Sequence, residues 1–256
     1  MNTRPAAVAG TFYPAEADDL RQTLQALLPA PCADRDKPRA LIVPHAGYRY
    51  SGAVAAAAYA QLRTGDYANV LLLGPAHRLW LRGMALPTAQ GFQTPLGDVA
   101  IATDAVARLA AFAAVQYSDA AHADEHALEV QLPFLQIQLG EFALVPLLVG
   151  ECPPTLVAEV IDTLLDEQTL LVVSTDLSHF HPYREAQALD ARTIAQILAR
   201  TPTLRPEQAC GAMPLNGFLL WLQQHGGELQ LLAHDNSGDH GGPADRVVGY
   251  ASFRLD

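Results

Sequence analysis

Short apolar segments alternate with longer amphipathic segments along most of this chain. The predicted strands are residues 39–43, 69–74, 83–87, 142–150, 169–176, 228–234 and 246–254. The predicted helices are residues 16–28, 51–62, 104–113, 124–139, 154–166, 184–199 and 214–225. Buried parallel strands are continuous apolar runs joined by helical crossovers, so this alternation predicts an α/β fold with a mostly parallel central sheet flanked by helices. The last two strands are expected to pair antiparallel.

Composition restricts the domain count and the class of partner. The 256 residues are 50% hydrophobic, and because no linker-like stretch divides them we expect a single domain over 1–256. A net charge of −11 argues against nucleic acid and against an anionic membrane surface as partners. Lys37 is the only lysine and lies in a polar stretch, which disfavours Schiff-base chemistry and a P-loop.

The cysteines predict the redox environment. Cys32, Cys152 and Cys210 are far apart and odd in number, which disfavours a disulfide framework and a structural zinc site. The N-terminal segment lacks the apolar core of a signal peptide, and no apolar run is long enough to span a bilayer. We therefore expect a soluble cytoplasmic protein.

Histidines follow three of the predicted strands. His45 comes after strand 39–43, His77 after strand 69–74, and His179 after the strand that ends at Asp176. Ligands of open α/β sheets collect at the carboxyl ends of the strands, so these imidazoles converge if those ends are neighbours. A single histidine in such a place is more often an ordinary loop residue, and only the threefold recurrence favours a site.

Imidazoles from separate strands, joined by a carboxylate, can bind a transition metal. Two histidines and one carboxylate form the facial triad typical of non-haem iron(II). The candidate carboxylates are Asp239, Asp176 and Glu125, and the spacing alone does not choose among them.

A second pattern competes for the metal. Residues 122–126, HADEH, match the H-x-x-E-H motif of inverted zinc peptidases, with His122 and His126 as ligands and Glu125 as base. Such a short motif also arises by chance, and no third ligand is evident. The alternative is that Glu125 and His126 join the pocket of His45 and His77.

Two further features have weaker implications. Tyr48, in the segment after His45, would line a ligand pocket or simply pack. Cys210 would be a reactive thiol or, more commonly for a free cysteine, a small buried residue.

Eight motifs occur in a fixed order along nearly the whole chain. They are AGTFYP (9–14), PHAGYRYSG (44–52), LGPAH (73–77), TPLGDV (94–99), DEHALEVQLPFLQ (124–136), STDLSH (174–179), CGAMP (210–214) and SGD…VVGYASF (237–253). Together they resemble the Memo family, whose bacterial and archaeal members are called AmmeMemoRadiSam system protein B.

This resemblance implies a fold similar to the LigB-like class III extradiol dioxygenases, which use non-haem iron to open catechol rings. His45 and His77 match the metal-binding histidines of the family, and His179 matches a histidine that serves as acid–base in the dioxygenases. Asp239 takes the place of a cysteine in the animal proteins. The resemblance therefore implies a divalent transition metal held by His45, His77 and Asp239, with iron(II) favoured over copper.

The resemblance leaves the activity open between two classes. One is a metal-dependent, dioxygenase-like oxidoreductase in which His179 moves a proton and Tyr48, Glu125 and His126 bind substrate. The other is an adaptor that holds a small molecule or a peptide in the same cleft and works with radical SAM and AMMECR-type proteins.

Overall fold

The computed structural model describes residues 2–29 and 36–256, so that Cys32 lies outside the described residues. The helices are α1 (Ala17–Leu27), α2 (Tyr48–Tyr59), α3 (Thr103–Leu109), α4 (Asp119–Ala123), α5 (Leu132–Leu139), α6 (Pro154–Leu164), α7 (Tyr183–Leu198) and α8 (Ala212–His225). The strands are β1 (Thr3–Arg4), β2 (Ala40–Val43), β3 (Asn69–Pro75), β4 (Met84–Leu86), β5 (Gly91–Thr94), β6 (Gly97–Ala100), β7 (Val115–Tyr117), β8 (Ala143–Val149), β9 (Thr169–Ser174), β10 (His179–His181), β11 (Leu229–Asn236) and β12 (Val247–Leu255).

A nine-stranded sheet forms the centre of the fold. Its strand order is β10-β12-β2-β9-β3-β8-β4-β7, with β11 also paired to β12. Strands β2, β9, β3 and β8 are mutually parallel, whereas β12 pairs antiparallel with β2, β10 and β11. The predicted α/β fold with a parallel core is confirmed, and so is the antiparallel pairing of the last two strands.

The parallel strands are buried because their side chains are apolar on both faces. Every residue of β2 and β9 is buried, and so is every residue of β3 and β8 after the first. Helices α1, α2 and α5 pack together, and α6 packs on α8, which also contacts β3 and β9. Each large aliphatic side chain removed from water in this way contributes roughly 1.5–3 kcal/mol to folding.

A separate three-stranded sheet fixes the start of the chain. In it, β1 pairs parallel with β5, and β5 pairs antiparallel with β6. These three strands were not predicted from the sequence, because each is short and lacks a run of apolar residues. This sheet places Arg4 next to the end of α4, where it is buried.

Two helices begin at residues other than the predicted ones. Helix α2 begins at Tyr48 with Gly47 as its N-cap, and Ser51, the predicted cap, donates its hydroxyl to Ala46 O instead. The helix predicted over 124–139 is a loop at 124–128, a 3-10 turn at Glu129–Gln131 and then α5. In the loop, the carboxylate of Glu125 accepts hydrogen bonds from backbone N–H groups, which competes with helix formation.

No helix in the described part of the chain has the length and apolarity needed to cross a bilayer.

Gly217 allows α8 to approach α6 closely, and we expect an alanine there to be destabilising. A Cβ at position 217 would overlap the side chain of Val157, a β-branched residue with little rotameric freedom. Gly52 in α2 is the control, because the closest atom to a Cβ there is the flexible end of Leu27, at 2.8 Å, and Tyr48 Cβ is at an ordinary contact distance of 3.4 Å. Both changes gain the same helix propensity. In chemical denaturation, Gly217→Ala should be less stable than Gly52→Ala by about 1–3 kcal/mol, the usual cost of overpacking. Equal stabilities would contradict this account of the packing.

Candidate metal centre

The carboxyl ends of three parallel strands meet at one edge of the sheet. Strand β9 lies between β2 and β3, with Val43 paired to Ser174 at the end of β2. His45 follows the last residue of β2 by two positions, and His77 follows the last residue of β3 by two positions. The two histidines therefore approach each other across the end of β9.

Three imidazoles form a compact group at this edge. The ring centroids of His45 and His77 are 5.1 Å apart, those of His77 and His126 are 4.8 Å apart, and those of His45 and His126 are 5.4 Å apart. Each ring offers one nitrogen within 4.8 Å of the nitrogens offered by the other two, so the group could hold a metal ion. We call His45, His77 and His126 the three-histidine group.

The tautomer of His45 follows from the hydrogen bonds of Ser174. The serine hydroxyl donates its one proton to Ala127 O at 2.7 Å and accepts an N–H from Gln131 at 2.9 Å. It can therefore only accept from His45 Nδ1, 2.9 Å away. The proton of His45 is on Nδ1, so Nε2 carries the lone pair that would bind a metal.

Glu125 orients His77 in a similar way. Its carboxylate accepts the Nδ1–H of His77 at 2.9 Å, the backbone N–H of His77 at 2.5 Å and the N–H of Ala127 at 2.9 Å. Burial disfavours ionisation of Glu125, but the hydrogen bonds and charge of His77 outweigh it and lower the pKa to about 2. An ionised carboxylate thus lies behind His77, the arrangement that fixes a metal-binding imidazole.

His126 lacks such an anchor on its ring. Its Nδ1 is buried without a hydrogen-bond partner, although Glu125 Oε1 lies 3.3 Å away. Burial, followed by the nearby charge of His45, lowers the pKa of His126 to about 4. Burial also holds the pKa of His45 well below its ordinary value. Metal binding requires neutral imidazoles, so His45 and His126 fit a transition-metal ion.

The group opens towards solvent on one side. His45 is buried, whereas the side chain of His77 is 28% exposed. An ion held here would be accessible to a small molecule from the side of His77.

Cys210 and Asp176 contact His45 from the interior. Cys210 Sγ is 3.2 Å from His45 Nε2 and accepts the N–H of Asp176 at 3.3 Å. Asp176 Oδ1 accepts the backbone N–H of His45 at 2.7 Å. Burial raises the pKa of the Cys210 thiol and the pKa of the Asp176 carboxyl. The contact of Cys210 with His45 was not predicted, since only tertiary structure brings residues so distant in the chain together.

His179 is half-buried at the start of β10. Its Nδ1–H donates to Leu177 O at 2.9 Å, which leaves the lone pair of Nε2 free. Its charge, when protonated, opposes protonation of His45, so the two residues are electrostatic neighbours. Proton transfer by His179 stays a prediction.

Asp239 has a different environment from the one expected of a ligand. It is exposed, and the three-histidine group, drawn from the described residues, does not include it. Tyr183 donates its hydroxyl to Asp239 Oδ1 at 2.5 Å, and Asn236 N donates to Oδ2 at 3.1 Å. The bond from Asn236 N is half of a capping box that begins a 3-10 turn at Ser237–His240, so the carboxylate stabilises a local turn.

The side chains of Tyr48 and His122 also form their hydrogen bonds outside the three-histidine group. The Tyr48 hydroxyl donates to Val130 O at 2.7 Å, and its ring packs on Phe134 in the core. His122 donates its Nε2–H to Ala85 O at 3.0 Å. Within the part of the chain that the structure describes, His126 of the HADEH motif belongs to the three-histidine group and His122 does not.

Comparison with known proteins identifies relatives along the whole chain. The model of a protein family described as Memo-like protein matches residues 4–254. A MEMO1 family protein of Methanopyrus kandleri is 34% identical over 98% of this chain and 98% of its own length. MEMO1 family proteins of Ignicoccus hospitalis and Aquifex aeolicus are 32% and 31% identical, and both comparisons cover at least 98% of each chain.

A solved structure shares the fold. It is an uncharacterized protein, JW3007, from Escherichia coli K12, with a TM-score of 0.55 over 85% of this chain and 99% of that one. The sequence identity is 14%, so this likeness concerns the fold alone.

The burial of neutral His122 predicts a loss of stability in mild acid. Burial lowers its pKa to about 4, below the ordinary 6.5. Between these values the unfolded chain binds the extra proton, so stability falls as the pH falls through 6.5 towards 4. One such group should cost about 2 kcal/mol between pH 7.5 and pH 5. Denaturation of wild type and His122→Gln at both values measures the difference in pH dependence. Parallel pH profiles would contradict the assignment.

Proposed function

Because this chain belongs to the Memo-like protein family and brings three imidazoles to one sheet edge, we propose that it is a metal-dependent, dioxygenase-like oxidoreductase. The proposed ligands are His45, His77 and His126. The single observation that carries the proposal is the three-histidine group, with the second nitrogens of His45 and His77 held by Ser174 and Glu125.

The donor chemistry and the resemblance support different parts of the metal assignment. Three imidazoles suit iron, zinc, copper and nickel, so the donor set supports a transition metal as a class. The choice of iron(II) rests on the resemblance to the extradiol dioxygenases. When bound, iron(II) would supply redox chemistry with dioxygen and Lewis acidity towards an oxygen-bearing substrate.

The protein's own residues would orient the metal-binding rings, admit the substrate and move a proton. Ser174 and Glu125 hold the rings of His45 and His77, and the negative charge of Glu125 balances part of the charge of a cation. His179 offers the free lone pair of Nε2 to a proton of the substrate, because its Nδ1–H is committed to Leu177 O. The partly exposed side of His77 gives a small substrate access to the group.

A binding module is the second candidate, and exposed aromatic side chains favour it. Trp80, three residues after His77, is 75% exposed, and Phe180, next to His179, is 60% exposed. Exposed aromatic rings are typical anchors of peptide and ligand interfaces. In this function the cleft would hold a small molecule or a peptide without turnover, and radical SAM and AMMECR-type proteins stay predicted partners.

Metal content tests the proposed ligands. His45→Ala, His77→Ala and His126→Ala should each lose most of the iron that anaerobically purified, iron(II)-loaded wild type retains, because each removes one of three donors. Asp239→Asn should retain it, because Asp239 stabilises a turn outside the group. Elemental analysis after gel filtration measures the content. An iron content equal to that of wild type in the histidine variants, or a loss of iron only in Asp239→Asn, would overturn the ligand set.

Oxygen uptake separates turnover from binding. Iron(II)-loaded wild type should consume dioxygen with a member of a catechol panel, and His179→Gln should reduce the rate by about 10²–10⁴-fold at unchanged iron content, the usual contribution of a general base. His181→Gln is the matched control, since that half-buried ring pairs with Glu185. Uptake that is absent with every catechol, or equal in wild type and His179→Gln, would count against the enzyme and favour the binding module.

A further inference from the structure

A buried ion pair lies beside the loop that carries His126. Arg4 Nη1 and Glu129 Oε2 are 2.5 Å apart, and their side chains are 5% and 0% exposed. Removing two charges from water costs several kcal/mol per ion, and an apolar pair of similar volume is often no less stable. The general demands of folding therefore do not explain why a charged pair occupies this position.

The guanidinium of Arg4 binds the end of α4 and the loop at 124–128. Its Nε–H donates to His122 O at 2.6 Å, and Nη2 donates to Glu125 O at 2.6 Å. The guanidinium also lies over the ring of Phe92, with its carbon 5.0 Å from the ring centroid. One side chain thus holds the carbonyl group directly before His126 and a second one four residues before it.

Glu129 joins Arg4 to the residues that follow it near the N-terminus. Its carboxylate also accepts N–H groups from Ala7 at 2.8 Å and Val8 at 2.9 Å and the Tyr13 hydroxyl at 2.6 Å. We call residues 3–13 the N-terminal arm. The arm and the end of the loop are therefore joined by a fully hydrogen-bonded pair, which leaves the loop little freedom to move.

His126 depends on this support more than the other two histidines do. His45 and His77 are each oriented by a hydrogen bond to the ring, whereas His126 Nδ1 has no hydrogen-bond partner. Phe12 of the N-terminal arm packs on the His126 ring, with centroids 4.7 Å apart. Besides the neighbouring Glu125 carboxylate and the stacked ring of His77, the backbone of His126 and the arm set its position.

We propose that Arg4, paired with Glu129, is a positioning residue that holds His126 in the three-histidine group and so tunes the affinity of the site for a transition-metal cation. This inference rests on the ligand set given under the proposed function. Arginine is needed because its planar fork reaches carbonyl and carboxylate acceptors in several directions at once, whereas lysine carries one donor nitrogen at the end of its chain.

Cobalt(II) binding tests this role without an assay of activity, because its visible absorption spectrum reports the number and arrangement of ligands. Arg4→Lys should weaken cobalt(II) binding by about 10–100-fold, the usual effect of losing a supporting partner of a metal ligand. Its spectrum should shift towards that of His126→Ala. The effects of Arg4→Lys and His126→Ala should not add in the double variant, because both act on one ligand.

Arg254→Lys is the matched control. Arg254 is also buried, donates to Gln61 and Asp256, and pairs with Leu41 near the start of β2, away from the edge that holds the site. It should lose stability comparably but keep the wild-type cobalt(II) affinity and spectrum. If Arg4→Lys does not unfold cooperatively, Tyr13→Phe replaces it as the milder variant, with the same spectral shift expected at smaller amplitude.

The outcomes separate this inference from the function on which it rests. Wild-type cobalt(II) affinity and spectrum in Arg4→Lys and Tyr13→Phe, with loss in His45→Ala and His126→Ala, would overturn the role of Arg4 alone. Additive effects of Arg4→Lys and His126→Ala would overturn it as well. Wild-type binding in all three histidine variants would overturn the ligand set and the inference together.

Discussion

The parallel pairing of β2 and β3 with β9 is the constraint on which the site depends. Parallel strands end at the same edge of a sheet, so the residues that follow β2 and β3 must lie close together. The edge is buried among apolar strands, and polar side chains there have to satisfy one another. Ser174, at the end of β9, does this for His45, and Glu125 does it for His77. The pairing of the strands therefore also positions the groups that orient the rings.

Charge at this edge is arranged to attract a cation. Burial keeps the pKa values of His45 and His126 low, so their rings are neutral at neutral pH, while the lowered pKa of Glu125 keeps its carboxylate ionised. A negative group behind neutral donors provides the electrostatic environment that replaces the solvation a metal ion loses on binding. The N-terminal arm completes the arrangement from outside the main sheet, through Phe12 on His126 and Arg4 on the adjoining loop.

Much of this follows from the chain itself, and the exceptions have physical causes. The strand ends predicted the convergence of His45 and His77, and the ring centroids of these residues are 5.1 Å apart. His126 was predicted in the same pocket but as a substrate contact, and the loop at 124–128, where a helix was expected, brings its ring into the three-histidine group. Asp239 was expected as a ligand, although Asn236 and Asp239, three residues apart, also match a capping box.

Other features were beyond local patterns. The contact of Cys210 with His45, and the contact of Arg4 with the loop at 124–128, each join residues more than a hundred positions apart. The strand pair β5 and β6 is too short and too polar in sequence to be recognised without its partner β1. Only the pairing of distant segments brings these groups together, and a single sequence contains no direct record of it.

The central claim is that one metal ion is bound by three imidazoles at the carboxyl edge of the sheet. Anomalous diffraction from crystals loaded anaerobically with iron(II) tests it most directly. The account predicts one peak at about 2.0–2.2 Å from a ring nitrogen of each of His45, His77 and His126. A peak bound by Asp239, or one that leaves any of the three rings uncoordinated, would contradict it.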